Sequence, residues 1–222
     1  MAEIRLLRAP DPIREAGRQL SRQMWLCHEQ RGVVRLAIPG GSALGALGQA
    51  RRYLDGELWR QTQLTWVDER RVPFEHPDSN RGDAYRRHFL DPEDPPALEL
   101  PLFLEGEAAE EACLRVENAL AADFGGRLDV LLLGMGEDGH IASLFPGQSW
   151  LPGPVQVIED SPKTPRERIS LGLSLLSTAL EAVLLATGEA KRDALRRLLQ
   201  GDPSLPATAL PRITVVTDLK DV

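Results

Sequence analysis

The sequence is poor in cysteine and has no long apolar run. Only two cysteines, Cys27 and Cys113, occur among the 222 residues, and neither has a second cysteine at the CxxC spacing of zinc or redox sites. No apolar segment approaches the roughly 20 residues that a membrane-spanning helix needs. In the N-terminal stretch, Arg, Pro and Glu interrupt the apolar residues. A secretory signal instead has a continuous apolar segment. We therefore expect reduced thiols, no membrane partner and a cytoplasmic location.

Positive charge and aromatic residues are also scarce. The 26 Lys and Arg residues are outnumbered by 33 Asp and Glu residues, which gives a net charge of −7 and a pI near 5.2. Such a chain repels a nucleic-acid backbone unless its positive charges gather on one face. The tryptophans are scattered and are expected to pack in the interior; they form no platform for stacking bases. Nucleic acid is not an expected partner.

What the sequence does contain is ordinary globular composition, with 42% hydrophobic and 27% charged residues. Asp11 and Pro12 begin a helical pattern that Gly32 ends. Short apolar runs at 33–38, 64–67, 128–133, 182–186 and 213–216 predict strands, with helical segments after several of them. Apolar strands that alternate with helices predict an α/β fold: a mostly parallel, Rossmann-like sheet with helices on both faces. The proline-rich stretches 91–101 and 146–165 are expected to be surface connections or a flap.

Four loops that follow predicted strands carry the polar chemistry. They read PGGS at 39–42, DERR at 68–71, GMGEDGH at 134–140 and TGEAK at 187–191. In parallel sheets, ligands bind at the carboxyl ends of the strands, where the strand order switches. The sequence therefore predicts that these four loops converge on one site.

The PGGS loop suits a phosphate group. Gly40 and Gly41 allow close approach of a ligand to the backbone, and Ser42 is expected at the N-terminus of the following helix. Arg70 and Lys191 place cations at two other strand ends, as in a phosphate pocket. An ordinary tight turn with a serine N-cap remains the alternative. The loop matches neither a Walker A motif nor a GxSxG nucleophile elbow.

The GMGEDGH loop has two interpretations. Its GxGxxG spacing is typical of dinucleotide sites. However, such a turn must open a long helix, and here only five residues separate His140 from Pro146. Glu137 and Asp138 also repel a pyrophosphate. The alternative is proton transfer by His140 and Asp138, because histidine titrates near neutral pH; a helix-capping role for His140 stays open. The other histidines, His28 and His88 in helical segments and His76 in a loop, lack metal-ligand spacing.

Taken in order, these blocks resemble the 6-phosphogluconolactonase family, within a wider group that includes glucosamine-6-phosphate deaminases. The resemblance covers nearly the whole chain, through PGGS at 39–42, WVDERRVP at 66–73, DSN at 78–80, LDVLLLGMGEDGHIASLFPG at 128–147, SPKTPRERISL at 161–171, TGEAKRDAL at 187–195 and LPATAL at 205–210. It implies one lactonase domain over 1–222. Members often read Ser-Gly-Gly-Ser-Thr-Pro at the first loop, whereas Ala43 and Leu44 follow Ser42 here.

The resemblance also separates two chemistries. Deaminases follow their DGH loop with Asn-Glu-Pro, whose Glu assists ring opening, whereas this chain reads Ser143, Leu144, Phe145 and Pro146. The missing carboxylate favours hydrolysis of 6-phospho-D-glucono-1,5-lactone in the oxidative pentose phosphate pathway. A sugar-phosphate deaminase or isomerase, and a non-catalytic sugar-phosphate sensor, remain the alternatives.

By this resemblance, His140 is expected to be the general base, with Asp138 orienting it. Substrate binding is assigned to Gly40, Gly41, Ser42, Asp68, Arg70, Arg168 and Lys191: the phosphate to the glycine turn, Ser42, Lys191 and either arginine, and a hydroxyl group to Asp68. No metal or redox cofactor is needed for ester hydrolysis. The even spread of charge predicts a monomer.

Overall fold

A computed structural model describes residues 2–148, 150 and 152–222. The helices of the described residues are α1 (Pro12–Arg31), α2 (Gly45–Arg51), α3 (Gly56–Arg60), α4 (Asn80–Arg86), α5 (Ala109–Ala122), α6 (Leu173–Leu176) and α7 (Arg192–Leu199). The strands are β1 (Glu3–Arg8), β2 (Val34–Ile38), β3 (Thr62–Trp66), β4 (Asp68–Arg70), β5 (Leu98–Leu100), β6 (Val130–Gly134), β7 (Val155–Ile158), β8 (Arg168–Leu171), β9 (Glu181–Leu185) and β10 (Arg212–Thr217). None of the described helices is long and apolar enough to cross a membrane.

The main sheet has seven strands in the order β1-β10-β9-β6-β2-β3-β5, and its neighbouring strands pair in parallel. Four consecutive residues of β6, Val130 to Leu133, are fully buried. Because successive strand residues face opposite sides, both faces of the sheet are covered there. The predicted α/β class with a mostly parallel sheet and helices is confirmed.

The strand order contains a switch point beside β2. From β2 the chain runs outward through β3 to β5, then returns to the other side of β2 as β6 and continues to β9 and β10. The loops after β2 and β6 therefore leave two adjacent strands and diverge. This divergence opens a crevice at the carboxyl edge of the sheet.

The first helix shows how local sequence fixes an element that carries the sheet. Asp11 accepts a hydrogen bond from the backbone N–H of Arg14 at 3.1 Å, and Pro12 occupies the first turn, where its missing N–H costs nothing. Gly32 ends the helix with a φ of +68°, which favours glycine. The buried face of α1, which includes Leu20 and Met24, packs on α2 and the sheet. The predicted helix is confirmed.

Several strands were not predicted from the sequence. β1 alternates apolar with charged residues, and β5 has three residues, so neither forms an apolar run. The prediction that the two proline-rich stretches are surface connections or a flap was wrong. The stretch 91–101 contains β5, and the stretch 146–165 contains β7. Residues 149 and 151 of the second stretch lie outside the described residues. The DERR segment is also not simply a loop, because Asp68–Arg70 form β4 of a second, antiparallel sheet in the order β4-β8-β7.

Three side chains differ from their predicted settings. Ser42 does not cap a helix: residues Gly41–Leu44 form a 3-10 turn that leads into α2, whose N-cap position is Leu44. Trp25 is 50% exposed rather than packed in the interior. His88 follows the end of α4 and has a φ of +56°, so it belongs to the turn and not to the helix.

Candidate active site

A polar cleft of about 320 Å³ lies at the switch point of the sheet. All four predicted loops contribute to it, together with residues from α4 and from the β7–β8 connection. Its lining includes Pro39, Gly40, Gly41, Ser42, Asp68, Arg70, Asn80, Gly136, Glu137, His140, Lys163, Arg168 and Lys191.

His140 and Asp138 form a hydrogen-bonded pair on the loop after β6. The Nδ1 atom of His140 lies 2.6 Å from Oδ1 of Asp138. The same loop is closed by a hydrogen bond from the N–H of Gly136 to the carbonyl oxygen of His140 at 2.9 Å. A side chain at residue 136 would overlap with the imidazole and with the Asp138 carboxylate, so glycine is required there. The loop thus holds the imidazole against its carboxylate partner.

Burial and the contact between the two side chains shift the pKa values of both His140 and Asp138. Burial lowers the pKa of His140, and this effect outweighs the opposing hydrogen bond and charge of Asp138. The pKa of Asp138 is also lowered: its burial acts in the opposite direction, but the hydrogen bond from His140 and the charge of His140 prevail. At neutral pH the pair therefore consists of a neutral imidazole and a carboxylate.

These protonation states assign the tautomer. An ionised Asp138 only accepts hydrogen bonds, so the proton of the imidazole lies on Nδ1 and points to the carboxylate. The lone pair then belongs to Nε2. A neutral imidazole with a free Nε2 is suited to take a proton from water.

The loop after β2 approaches α4 closely. A side chain at residue 40 would overlap with the amide of Asn80, so only glycine fits. Gly41 has a φ of +68°, which also favours glycine. Ser42 is exposed and lines the cleft. The glycines therefore have a packing role here in addition to the predicted approach of a ligand to the backbone.

Asp68 and Arg168 form a buried network below the cleft. Asp68 is 6% exposed, and its carboxylate accepts hydrogen bonds from Ser143 Oγ at 2.7 Å and from Asn80 Nδ2 at 3.1 Å. Arg168 Nη1 lies 3.6 Å from Asp68 Oδ2. The other donors of Arg168 bind the carbonyl oxygens of Lys163 and Pro165, each at 2.8 Å. Arg168 thus fixes the β7–β8 connection at the rim of the cleft.

Asn80 was not identified as a site residue from the sequence. Its position in the structure is fixed by hydrogen bonds to Glu69. The buried Glu69 carboxylate accepts backbone hydrogen bonds from Asn80 at 2.7 Å and from Arg81 and Arg70 at 2.8 Å each. Burial raises the pKa of Glu69, and these backbone donors oppose that rise. Glu69 thereby ties the start of α4 to β4 and presents the amide of Asn80 to Asp68 and Gly40.

Three further cations face the cleft. Lys163 and Lys191 make no side-chain hydrogen bond or ion pair with the part of the chain that the structure describes. Burial lowers the pKa of Lys191. The charge of Glu137 opposes this lowering, and the charge of Lys163 adds to it. Arg70 donates to the carbonyl oxygen of Asp78 at 2.7 Å, and its buried Nε has no partner among the described residues. A cleft with free ammonium groups in a chain of net charge −7 is suited to an anionic ligand.

The structure brings together the residues predicted for the site. Gly40, Gly41, Ser42, Asp68, Arg70, His140, Arg168 and Lys191 line the cleft, and Asp138 lies behind His140. The sequence did not point to Asn80 or Lys163, although both belong to blocks that carried the resemblance, DSN and SPKTPRERISL. The segment after His140 forms a turn and an isolated bridge instead of the long helix of a dinucleotide site.

Comparisons with known proteins identify relatives of this chain. The chain is 34% identical to 6-phosphogluconolactonase from Rattus norvegicus over 189 residues, 80% of this chain and 73% of that protein. It is 37% identical to the Homo sapiens 6-phosphogluconolactonase over 190 residues, 81% of this chain and 73% of that one. It is also 37% identical to a probable chloroplastic 6-phosphogluconolactonase of Oryza sativa subsp. indica, over 76% of this chain and 56% of the rice protein.

Solved structures share the fold. A 6-phosphogluconolactonase from Shewanella baltica superposes with a TM-score of 0.80 at 23% identity, over 98% of each chain. A monomeric glucosamine-6-phosphate deaminase superposes with a TM-score of 0.77 at 20% identity, over 97% of this chain and 96% of the other. Residues 9–217 match the family model described as glucosamine-6-phosphate isomerases/6-phosphogluconolactonase. The chain therefore belongs to the glucosamine-6-phosphate isomerase/6-phosphogluconolactonase family.

Proposed function

We propose that this protein is a 6-phosphogluconolactonase, which hydrolyses 6-phospho-D-glucono-1,5-lactone to 6-phospho-D-gluconate in the oxidative pentose phosphate pathway. The observation that carries the proposal is the His140–Asp138 pair beside a cleft lined by Lys163 and Lys191, whose ammonium groups have no partner among the described residues. The named relatives at 34% and 37% identity support the same activity.

In the proposed mechanism His140 is the general base. Nε2 takes a proton from a water molecule as the water oxygen bonds to the lactone carbonyl carbon. The negative charge that forms on the carbonyl oxygen needs donors, which the backbone amides of the 134–140 loop supply. The bond between this carbon and the ring oxygen then breaks, and the imidazolium returns its proton to the leaving oxygen. Asp138 accepts the hydrogen bond from Nδ1–H throughout and stabilises the imidazolium while it exists.

The cationic side chains of the cleft have different proposed roles. Arg168 directs its donors to Lys163, Pro165 and Ser143, so we assign it to holding the rim of the cleft. Lys191 and Arg70, with the Gly40–Ser42 turn, are the proposed phosphate ligands. Asp68, held by Ser143, Asn80 and Arg168, is the proposed acceptor for a sugar hydroxyl group.

The test compares two matched histidine variants. The lactone is generated in situ from glucose 6-phosphate, and release of 6-phosphogluconate is followed above the spontaneous rate. We expect His140→Asn to lower kcat by about 10²–10⁴-fold, the usual contribution of a general base. His88→Asn is the control, because His88 is exposed, outside the cleft, and has a positive φ that asparagine tolerates.

The alternatives predict other results. If the wild-type protein does not exceed the spontaneous rate but releases ammonia from glucosamine 6-phosphate, the deaminase alternative holds. If it binds the sugar phosphate without turnover of either compound, the sensor alternative holds. A His140→Asn variant as active as wild type would keep the lactonase activity and remove His140 as its base.

The cellular setting is part of the proposal. We propose a monomer, as the even spread of charge predicted, and a cytoplasmic location. Relatives from rice and Arabidopsis thaliana are named as chloroplastic. Fractionation of the source cells with an antibody to the protein tests the location.

A further inference from the structure

Phe145 is a buried residue whose ring lies against the ring of His140. It is 3% exposed, yet the contiguous core of the described residues contains its neighbours Ile141 and Leu144 and not Phe145. Its ring instead faces His140, with 4.6 Å between the ring centroids and 37° between the planes. The buried ring of Phe145 therefore covers part of the imidazole of the candidate base.

A short turn brings Phe145 back to His140. Ile141 and Leu144 form an isolated antiparallel bridge, and the N–H of Leu144 donates to the carbonyl oxygen of Ile141 at 2.9 Å. Both side chains are buried and anchor the turn in the core. The indole N–H of Trp150 donates to the carbonyl oxygen of Phe145 at 3.1 Å. Phe145 is thus held in place on both sides along the chain.

The other contacts of the imidazole do not fix the plane of the ring. The hydrogen bond from Nδ1 to Asp138 fixes one atom of the ring, and the backbone of Gly136 limits its approach on that side. A ring held at one atom still pivots about that contact. A flat aromatic neighbour on the ring face removes this motion, because tilting the imidazole would break the ring contact.

We propose that Phe145 is a positioning residue for the base: its ring fixes the plane of the His140 imidazole and keeps water off one face of it. The inference rests on the proposed function, in which Nε2 of His140 must point at the attacking water. Geometry within about 1 Å matters at this step, since misplacement of that size costs about 10²-fold in rate.

The charged groups that face His140 are Asp138 on its own loop, Asp68 on β4 and Lys163 on the β7–β8 connection. Phe145 adds no charge to this set. Its contribution is to exclude water, and burial is the main cause of the lowered pKa of His140. Exposing the ring should therefore move the pKa of His140 upward, toward its ordinary value.

The kinetic test uses the same substitution at two buried phenylalanines. We expect Phe145→Leu to lower kcat about tenfold with little change in KM, because the binding groups stay in place. Phe145→Tyr keeps the ring and is expected to retain most of kcat. Phe124→Leu is the control: Phe124 is fully buried in the apolar core and does not line the cleft, so its loss should affect stability and not kcat.

A spectroscopic test needs no substrate. Long-range ¹H–¹⁵N spectra of labelled protein report the tautomer and the titration of His140. In both proteins we expect a single tautomer protonated at Nδ1, because Asp138 accepts that proton; in Phe145→Leu we expect a higher pKa of His140. If Phe145→Leu does not fold, Phe145→Met, whose unbranched side chain adapts better to the space left by the ring, carries the same measurements.

The outcomes separate the two proposals. A Phe145→Leu variant with the kcat of wild type and the His140 titration of wild type would overturn the positioning role. A wild-type protein without lactonase activity would overturn the proposed function, while the spectra would still decide whether Phe145 keeps water off the imidazole.

Discussion

Asp138 and Lys163 act on the same imidazole in opposite directions. Burial lowers the pKa of His140 most; the hydrogen bond and charge of Asp138 oppose this lowering, and the charge of Lys163 adds to it. Because the base must be unprotonated, activity falls as the pH drops through the pKa of His140. The wild-type acid limb of kcat/KM should therefore lie below about 6.5, the ordinary histidine value.

Substitution of these two residues should shift the acid limb in opposite directions. In Asp138→Asn the pKa of His140 falls further, so the limb moves to lower pH, while kcat drops about 10–100-fold because the ring loses its orienting acceptor. In Lys163→Gln the limb moves to higher pH. The measurement is kcat/KM against pH, corrected for spontaneous hydrolysis. Shifts in the same direction for both variants would contradict this account of the base.

At the scale of elements, the buried pair of Asp68 and Arg168 joins β4 to β8 within the antiparallel sheet, and the two side chains are 8% and 4% exposed. Loss of one partner of a buried ion pair leaves an uncompensated charge, which costs about 3–5 kcal/mol. Arg168→Met should therefore lower the free energy of unfolding by about 3 kcal/mol. Urea denaturation at neutral pH measures the difference.

The same segment offers a matched control. Arg166 lies 2.8 Å from Asp160, but their side chains are 65% and 78% exposed. Solvated pairs of this kind contribute about 0–1 kcal/mol, so Arg166→Met should be close to wild type. Equal costs for Arg166→Met and Arg168→Met would show that Arg168 does not hold the sheet and would favour its alternative role as a phosphate ligand.

The elements that the sequence revealed are those with a strong local pattern. The apolar runs of β2, β3, β6, β9 and β10 predicted central strands because strands buried on both faces need continuous apolar residues. β1 and β5 lie at the edges of the sheet, where burial is partial and the pattern is weak. β7 and β8 pair with each other across a connection of nine residues, and no local pattern predicted that pairing.

The same reasoning applies to the site. The loops at strand ends were found because glycines and titratable residues directly follow apolar runs. Asn80 reaches the cleft only through Glu69, and Lys163 only through the donors of Arg168. These are tertiary contacts, so residue type and spacing did not distinguish the two side chains from ordinary surface residues.

At the scale of the whole molecule, the edges of the main sheet determine whether copies of the chain can pair. β1 exposes the charged residues Glu3, Arg5 and Arg8 along one edge. The opposite edge, β5, is three residues long, and its Glu99 is bound by Arg81 and Tyr85 of α4. Charged or very short edge strands disfavour pairing with another chain. Both edges therefore support the proposed monomer.

Light scattering coupled to size exclusion tests this expectation. We expect a mass near 24.5 kDa at every concentration, consistent with the net charge of −7, which keeps copies apart. Arg5→Val removes a charge from the β1 edge and should promote association at high concentration, because an apolar edge strand can template pairing. A wild-type mass of twice the chain mass would contradict the monomer. In that case, an unchanged dimer in Arg5→Val would indicate that the contact lies away from β1.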